Sequence, residues 1–188
     1  TVISYADLCM ARTLTLPKKC TGLYTEGWHT ATISKAQYGT YNDMKYIDVW
    51  FEGYNDNFNM RMYAKTDKKG EEFAIGNLFR FANAGITDAL ESAEGETVIK
   101  MDDSAEALVG KQVNIFLYKK GKFTRVLQKV APVEFSNIVE TMTANDVAYH
   151  KTAAEKFFTD WVKPKLEETE STNTGSMATP NESADIPF

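Results

Sequence analysis

The chain has 188 residues, a formal net charge of −5 at pH 7, 43% hydrophobic and 12% aromatic residues. That length suits one domain with appendages, and the apolar content describes a folded body rather than a disordered chain. No apolar run approaches the ~20 residues of a membrane-spanning helix, so no membrane partner is expected. The N-terminus lacks a basic-then-apolar leader. Two cysteines, Cys9 and Cys20, do not make a disulfide framework, which points to a reducing, cytoplasmic setting. Thr1 fits a cytosolic chain that has lost its initiator Met.

The elements read in chain order as follows. Residues 1–26 carry weak periodicity and a break at Pro17, and read as an N-terminal arm, a short helix and a strand, packed on the body or on a neighbouring subunit. Residues 28–37 are rich in Thr with Ile and Trp and suit a first strand. Tyr38-Gly39-Thr40-Tyr41-Asn42-Asp43 is turn chemistry. Residues 45–52 alternate, with Ile47, Val49 and Phe51 opposed to Tyr46, Asp48 and Trp50. After a turn at 53–57, residues 58–65 alternate again, Phe58, Met60, Met62 and Ala64 against Asn59, Arg61, Tyr63 and Lys65.

The middle of the chain has another texture. Residues 72–84 place Phe73, Leu78, Phe81 and Ala82 near helical spacing, with Gly85 as a stop. Residues 86–110 hold a polar loop at 91–96, a short apolar Val98-Ile99 and one or two helical turns ending at Gly110. Strand periodicity returns at Lys111, with Val113, Ile115 and Leu117 against Asn114, Phe116 and Tyr118. Lys119-Lys120-Gly121-Lys122 is a basic hairpin turn, and residues 123–131 form a strand that Pro132 ends. Residues 145–166 form an amphipathic helix with a stripe of Val147, Ala154, Phe157, Phe158, Trp161 and Val162 behind an Asn145 or Thr143 cap. From 167 to 188 there is no periodicity, and a flexible acidic tail is expected.

Three strands, a helix and two strands between 27 and 135 is the winding order of a five-stranded OB-fold barrel with an inserted helix. The predicted fold is therefore mainly β: an N-terminal arm (1–26), an OB domain (27–135), a C-terminal helical segment (136–166) and the tail. A βαβ enzyme would need strand and helix to alternate throughout.

Charge divides along the same lines. Five acidic side chains and no Lys or Arg lie in 166–188, so removing them from the 26 acidic side chains leaves a body with 21 of each sign. All net negative charge sits in the tail, which ends Asp185-Ile186-Pro187-Phe188. An aromatic ring and the terminal carboxylate on one polar segment suit capture in an apolar pocket with a basic rim. This tip resembles that of the single-stranded-DNA-binding proteins of bacteria and their phages, whose acidic tails end in the same four residues. The body resembles the small phage OB proteins of that group only in its pattern of elements. The resemblance implies single-stranded DNA binding without strong sequence preference during replication, recombination or repair. It also implies capture of replication or recombination proteins by Asp185, Ile186, Pro187 and Phe188, inside the bacterial host cytoplasm.

The body carries its own signal. Tyr46 and Trp50 share the polar face of the second strand, and Arg61, Tyr63 and Lys65 that of the third. Exposed rings stack on bases of any sequence while cations hold the phosphates between them. Lys119, Lys120 and Lys122 would make the loop between the fourth and fifth strands a basic finger, continued by Arg125. The competing reading assigns these rings to a second apolar layer under the C-terminal helix. No cofactor, metal or catalysis is expected. Cys9, Cys20 and His29 lack zinc-site spacing, and neither a Gly-x-Ser-x-Gly elbow nor a Gly-Lys-Ser/Thr phosphate loop occurs. The alternative function is an adaptor or inhibitor that engages host replication proteins through the tail without binding DNA. Homo-oligomerisation through the arm or the helix is a further expectation.

Overall fold

The computed structural model describes residues 13–17 and 19–177. A long strand β1 (Gly27–Tyr41), β2 (Met44–Phe51) and β3 (Asn59–Tyr63) form an antiparallel meander. Helix α1 (Ala74–Phe81) follows, then a hairpin of β4 (Ile86–Glu91) and β5 (Thr97–Met101) and a 3₁₀ turn at Ala105–Leu108. Next come β6 (Gln112–Lys120) and β7 (Phe123–Val126), and a short pair, β8 (Phe135–Ser136) and β9 (Thr141–Met142). Helix α2 (Ala144–Phe157), a π-helical turn at Phe158–Val162 and α3 (Lys163–Met177) complete the described chain. The architecture is mainly β: a five-stranded antiparallel sheet in the order β3-β2-β1-β6-β7, two small hairpins, and a long C-terminal helical arm.

β1 explains how this sheet is built. Its first half pairs with β6, Gly27 opposite Leu117 through Thr32 opposite Gln112, and its second half pairs with β2. Between them the register breaks: Ile33 faces Phe51 but Lys35 faces Trp50, so Ser34 is an extra residue. A bulge of this kind bends a strand and shifts its phase by one. Ala31 and Ile33 point inward before it, while beyond it Lys35 and Gln37 are exposed and Ala36 packs against the core. The inner face is closed by Ile47, Val49, Phe51 and Met60 from the meander, and by Val113, Ile115 and Leu117 from β6. Leu78 and Phe79 of α1 and Leu108 of the 3₁₀ turn fill the remaining space, each almost wholly buried.

Several expectations need correction. Tyr38–Tyr41 is strand, and the turn is only Asn42-Asp43, both at positive φ (48° and 61°), the pair of left-handed residues a tight hairpin requires. The polar stretch at 91–96 is the turn of a hairpin, with strands at Ile86–Glu91 and Thr97–Met101 on either side that the sequence pattern did not suggest. The fifth strand stops at Val126, because Val126 and Leu127 are buried in succession and the alternation that sustains a strand ends there. The sheet is consequently not closed into a barrel: β3 and β7 approach one another without a hydrogen-bonded ladder. Residues 13–17 and 19–26 contain no helix or strand. The stretch from Gly22 lies along the body instead, the amide of Gly22 donating to the Gly53 carbonyl (2.8 Å) and Tyr24 packing edge-on against Tyr54 and Phe58.

The C-terminal helix is longer than its sequence pattern. Thr143 and Asp146 form a reciprocal capping box at the start of α2. Ala154 is fully buried, and Phe158 lies 5.2 Å from the rings of both Phe116 and Tyr118. The π turn sits immediately before Pro164, where the missing N–H and the ring disrupt the ordinary helical ladder. From there the helix continues to Met177, so the expected tether does not begin at 167. The sequence of 167–177 carries no apolar stripe. A helix already nucleated and docked adds one hydrogen bond per further residue and needs no apolar face. The terminal tip 182–188 lies outside the described residues.

The small side chain of Ala154 lets α2 approach the sheet. Ala154→Leu is expected to lower stability by about 1–3 kcal/mol, measured by urea denaturation, because the added methylenes have no space to enter.

Candidate nucleic-acid interface

Beyond the bulge, the register of β1, β2 and β3 aligns three rows of outward residues. They are Lys35–Trp50–Asn59, Gln37–Asp48–Arg61 and Gly39–Tyr46–Tyr63. Tyr46, Trp50, Arg61 and Tyr63, chosen from sequence, are thus neighbours on one face, each half-buried. Lys35 belongs with them and sequence reading missed it. Its ammonium lies 4.6 Å from the centre of the Trp50 ring, on a strand whose phase is readable only once the bulge is known.

The face is ordered by its own contacts. Arg61 donates from Nε to Asp48 Oδ1 (2.9 Å) and from Nη2 to Asp48 Oδ2 (2.8 Å), and its guanidinium lies 3.8 Å from the Tyr46 ring centre. Hydrogen bonding to Asp48 raises the Arg61 pKa further above its already high value. Asp48, buried, is the natural partner for a planar two-pronged donor. Tyr63 meets Tyr46 edge-on at 5.7 Å. Gly39, opposite Tyr46, leaves room for that ring: a Cβ there would collide with the Tyr46 hydroxyl oxygen. Trp50 donates from Nε1 to the Asp56 carbonyl (2.8 Å), which fixes the indole edge. Arg61 therefore orients Tyr46 and neutralises Asp48, and Lys35 is the cation of these rows that no acid on the face engages.

The β6–β7 hairpin turns on Gly121-Lys122, with Gly121 at φ +60°, a conformation glycine adopts without strain. Lys119 Nζ donates to the Thr124 hydroxyl (2.6 Å), while Lys120, Lys122 and Arg125 are exposed. Phe123 is 67% exposed beside Arg125, whose guanidinium lies 5.8 Å from its ring, an exposed ring and cation together at the hairpin tip.

The covered rings are different ones. Trp28 and Phe116 are paired across β1 and β6 on the outer face and meet at 5.3 Å. Trp28 Nε1 donates to Glu155 Oε1 of α2 (2.7 Å), and burial raises the Tyr118 pKa. The second apolar layer exists, then, on the β1–β6 half of the sheet, while the β1–β2–β3 half remains half-exposed. Lys65 lies past the end of β3 on the side of α2, 5.9 Å from the Phe157 ring.

Two clefts flank Phe157 between α2 and the ends of β3 and β7. One, about 340 Å³, is lined by Lys65, Phe73, Arg80, Lys129, Tyr149 and His150 among others. The second, about 330 Å³, is lined by Lys65, Tyr118, Lys120, Trp161 and Lys165 among others. Arg80 forms a two-pronged pair with Glu140 (2.6 and 2.7 Å) that ties α1 to the segment before β9, and this bond raises its pKa. His150 packs 4.6 Å from the Phe81 ring. Among the described residues no three His, Cys, Asp or Glu side chains converge as a metal site would require, and no helix is long and apolar enough to cross a membrane.

No protein-family model matches the chain, and no curated protein matches it either. What fold and face define is a mainly β, antiparallel-sheet protein with a ring-and-cation surface.

Burial foremost, and the charge of Arg80 after it, hold the His150 pKa below its usual 6.5. The unfolded chain then binds the proton more readily than the folded one, so this contribution to stability is complete above 6.5 and declines as pH falls below it. The melting temperature is expected to drop between about pH 7.5 and about pH 5.5, and the drop should shrink in His150→Gln, measured by thermal melts across that range.

Proposed function

We propose that this protein binds single-stranded DNA without strong sequence preference, in the manner of an OB-fold, during replication, recombination or repair, and recruits partner proteins through its C-terminal tip. The observation that carries the reading is the half-exposed face of β1, β2 and β3. There Trp50, Tyr46 and Tyr63 stand in register with Lys35 and Arg61, each of the three rings half-exposed among the described residues. Bases stack on rings whatever their sequence, and cations hold the phosphates; this mixture needs no catalytic group. The strand order 3-2-1-4-5 among the five main strands, with a helix after the third, supports the OB reading although the ladder between the edge strands is open. The exposed Lys120, Lys122 and Arg125 stand on the hairpin between the last two strands, placed to contact the backbone.

In this reading Trp50 and Tyr63 supply stacking, Lys35, Lys65 and the hairpin lysines hold phosphates, and Arg61 keeps Tyr46 in its orientation. The tail ending in Asp185-Ile186-Pro187-Phe188 carries the net negative charge of the chain and competes with DNA for the cations when no strand is bound.

Titration with oligo-dT should quench tryptophan fluorescence, with affinity falling steeply as salt rises. Trp50→Ala combined with Tyr63→Ala should weaken binding at least tenfold, since each stacked base contributes about 1–3 kcal/mol. A flat titration at low salt would refute DNA binding and favour the adaptor. Deleting residues 182–188 should tighten binding at low salt in the same assay; unchanged or weaker binding would remove the competition by the tail.

A further inference from the structure

The clefts beneath the C-terminal helix have a composition that packing alone does not call for. Among the described residues, the cations that line them are Lys65, Arg80, Lys120, Lys129 and Lys165, and no acid lines either. Asp160 and Glu168, on the same helical arm, do not line either cleft. Among the described residues, Arg80 is the one of these five with an ion-pair partner, Glu140, while Lys65 and Lys129 lie against the Phe157 ring at 5.9 and 5.4 Å. Two large rings at the rims stay in solvent: Tyr149 is 70% exposed and Trp161 64% exposed. Solvent-exposed rings beside lysines on a groove free of acid are what a polyanion with stackable bases requires. A purely apolar partner would leave the ammonium groups desolvated and unpaired.

The groove is also continuous with the sheet face. Outward residues along β3 run Asn59, Arg61, Tyr63 and then Lys65 just past the strand end, and Lys65 lines both clefts. Lys120, at the end of β6, lines the second. A chain lying across Trp50 and Tyr63 is thus led by Lys65 toward Phe157 and Trp161. Each cleft, at about 330–340 Å³, has the volume of a small-ligand pocket.

We infer that single-stranded nucleic acid leaves the sheet face at Lys65 and continues into the groove between β3, β7 and the C-terminal helix, with a base against Trp161 and phosphates on Lys65, Lys120 and Lys165. The inference rests on the DNA-binding reading above and adds a second segment to the bound path. The helix arm then serves as one wall of the binding track as well as a cover for Trp28 and Phe116.

The test uses the full chain and oligo-dT of about 16 nucleotides, at the upper end of OB-fold site sizes. In Trp50→Phe, the quench on adding oligo-dT should persist, and it should vanish in Trp50→Phe combined with Trp161→Phe, because Trp28 is held behind the helix. Trp161→Ala combined with Lys165→Gln should weaken binding about tenfold and reduce the salt slope by about one, with an unchanged thermal melt. If the wild type binds, and Trp50→Ala with Tyr63→Ala weakens it, but the Trp161 and Lys165 variant binds as wild type, the groove is not on the path and only this inference fails. If the wild type does not bind oligo-dT at low salt, both readings fail. If the variant loses affinity for a synthetic peptide of residues 182–188 but not for oligo-dT, the groove is a peptide site and the inference is overturned.

Discussion

The structure depends on one strand that belongs to two half-sheets. β1 gives its first six residues to β6 and its remainder to β2, and the extra residue Ser34 lets it bend between them. Without that bend, β6 would have no partner at an angle to the meander, and Ile115, Leu117, Ile47 and Val49 would not share an interior. The bulge also inverts which residues face out, which puts Lys35 beside Trp50 and Gly39 beneath Tyr46. One irregularity thus sets both the core and the composition of the exposed face.

The two halves then meet different fates. Outside β1 and β6, the rings of Trp28, Phe116 and Tyr118 are roofed by α2, held through Phe158 and the Trp28–Glu155 hydrogen bond. Outside the meander, Tyr46, Trp50 and Tyr63 are organised by polar contacts instead: the Asp48–Arg61 pair, the Trp50–Asp56 hydrogen bond and the cation of Lys35. Orienting rings with polar partners leaves part of each exposed, which preserves a surface while limiting the conformational entropy lost when a ligand binds. A helix roof gives more apolar burial and closes the surface.

Much of the meander was legible because its alternation is clean. Residues 45–51 and 59–63 have apolar side chains at every second position, and the structure buries those very residues. The basic hairpin was legible from Gly121 between lysines, and the start of α2 from its two candidate caps, Asn145 and Thr143, of which the structure uses Thr143. β1 was harder, because its phase changes at Ser34 and Thr-rich strands carry little contrast. The β4–β5 hairpin was not legible: Leu90 and Val98 are exposed, so the pairing is made by backbone hydrogen bonds that leave no hydrophobic alternation in the sequence.

The sequence by itself determined the class of local element along most of the body, the partition of charge between body and tail, and the set of rings and cations from which a binding face is drawn. Those properties are written in side-chain order and need no partner. The tertiary structure alone decided which rings are covered and which remain at the surface, that Arg61 is committed to Asp48, and that the helix arm leaves two clefts beside β3 and β7 lined by lysines and, among the described residues, by no acid. These depend on strand register, on a one-residue bulge and on where a helix lands, all set by contacts between residues far apart in the chain.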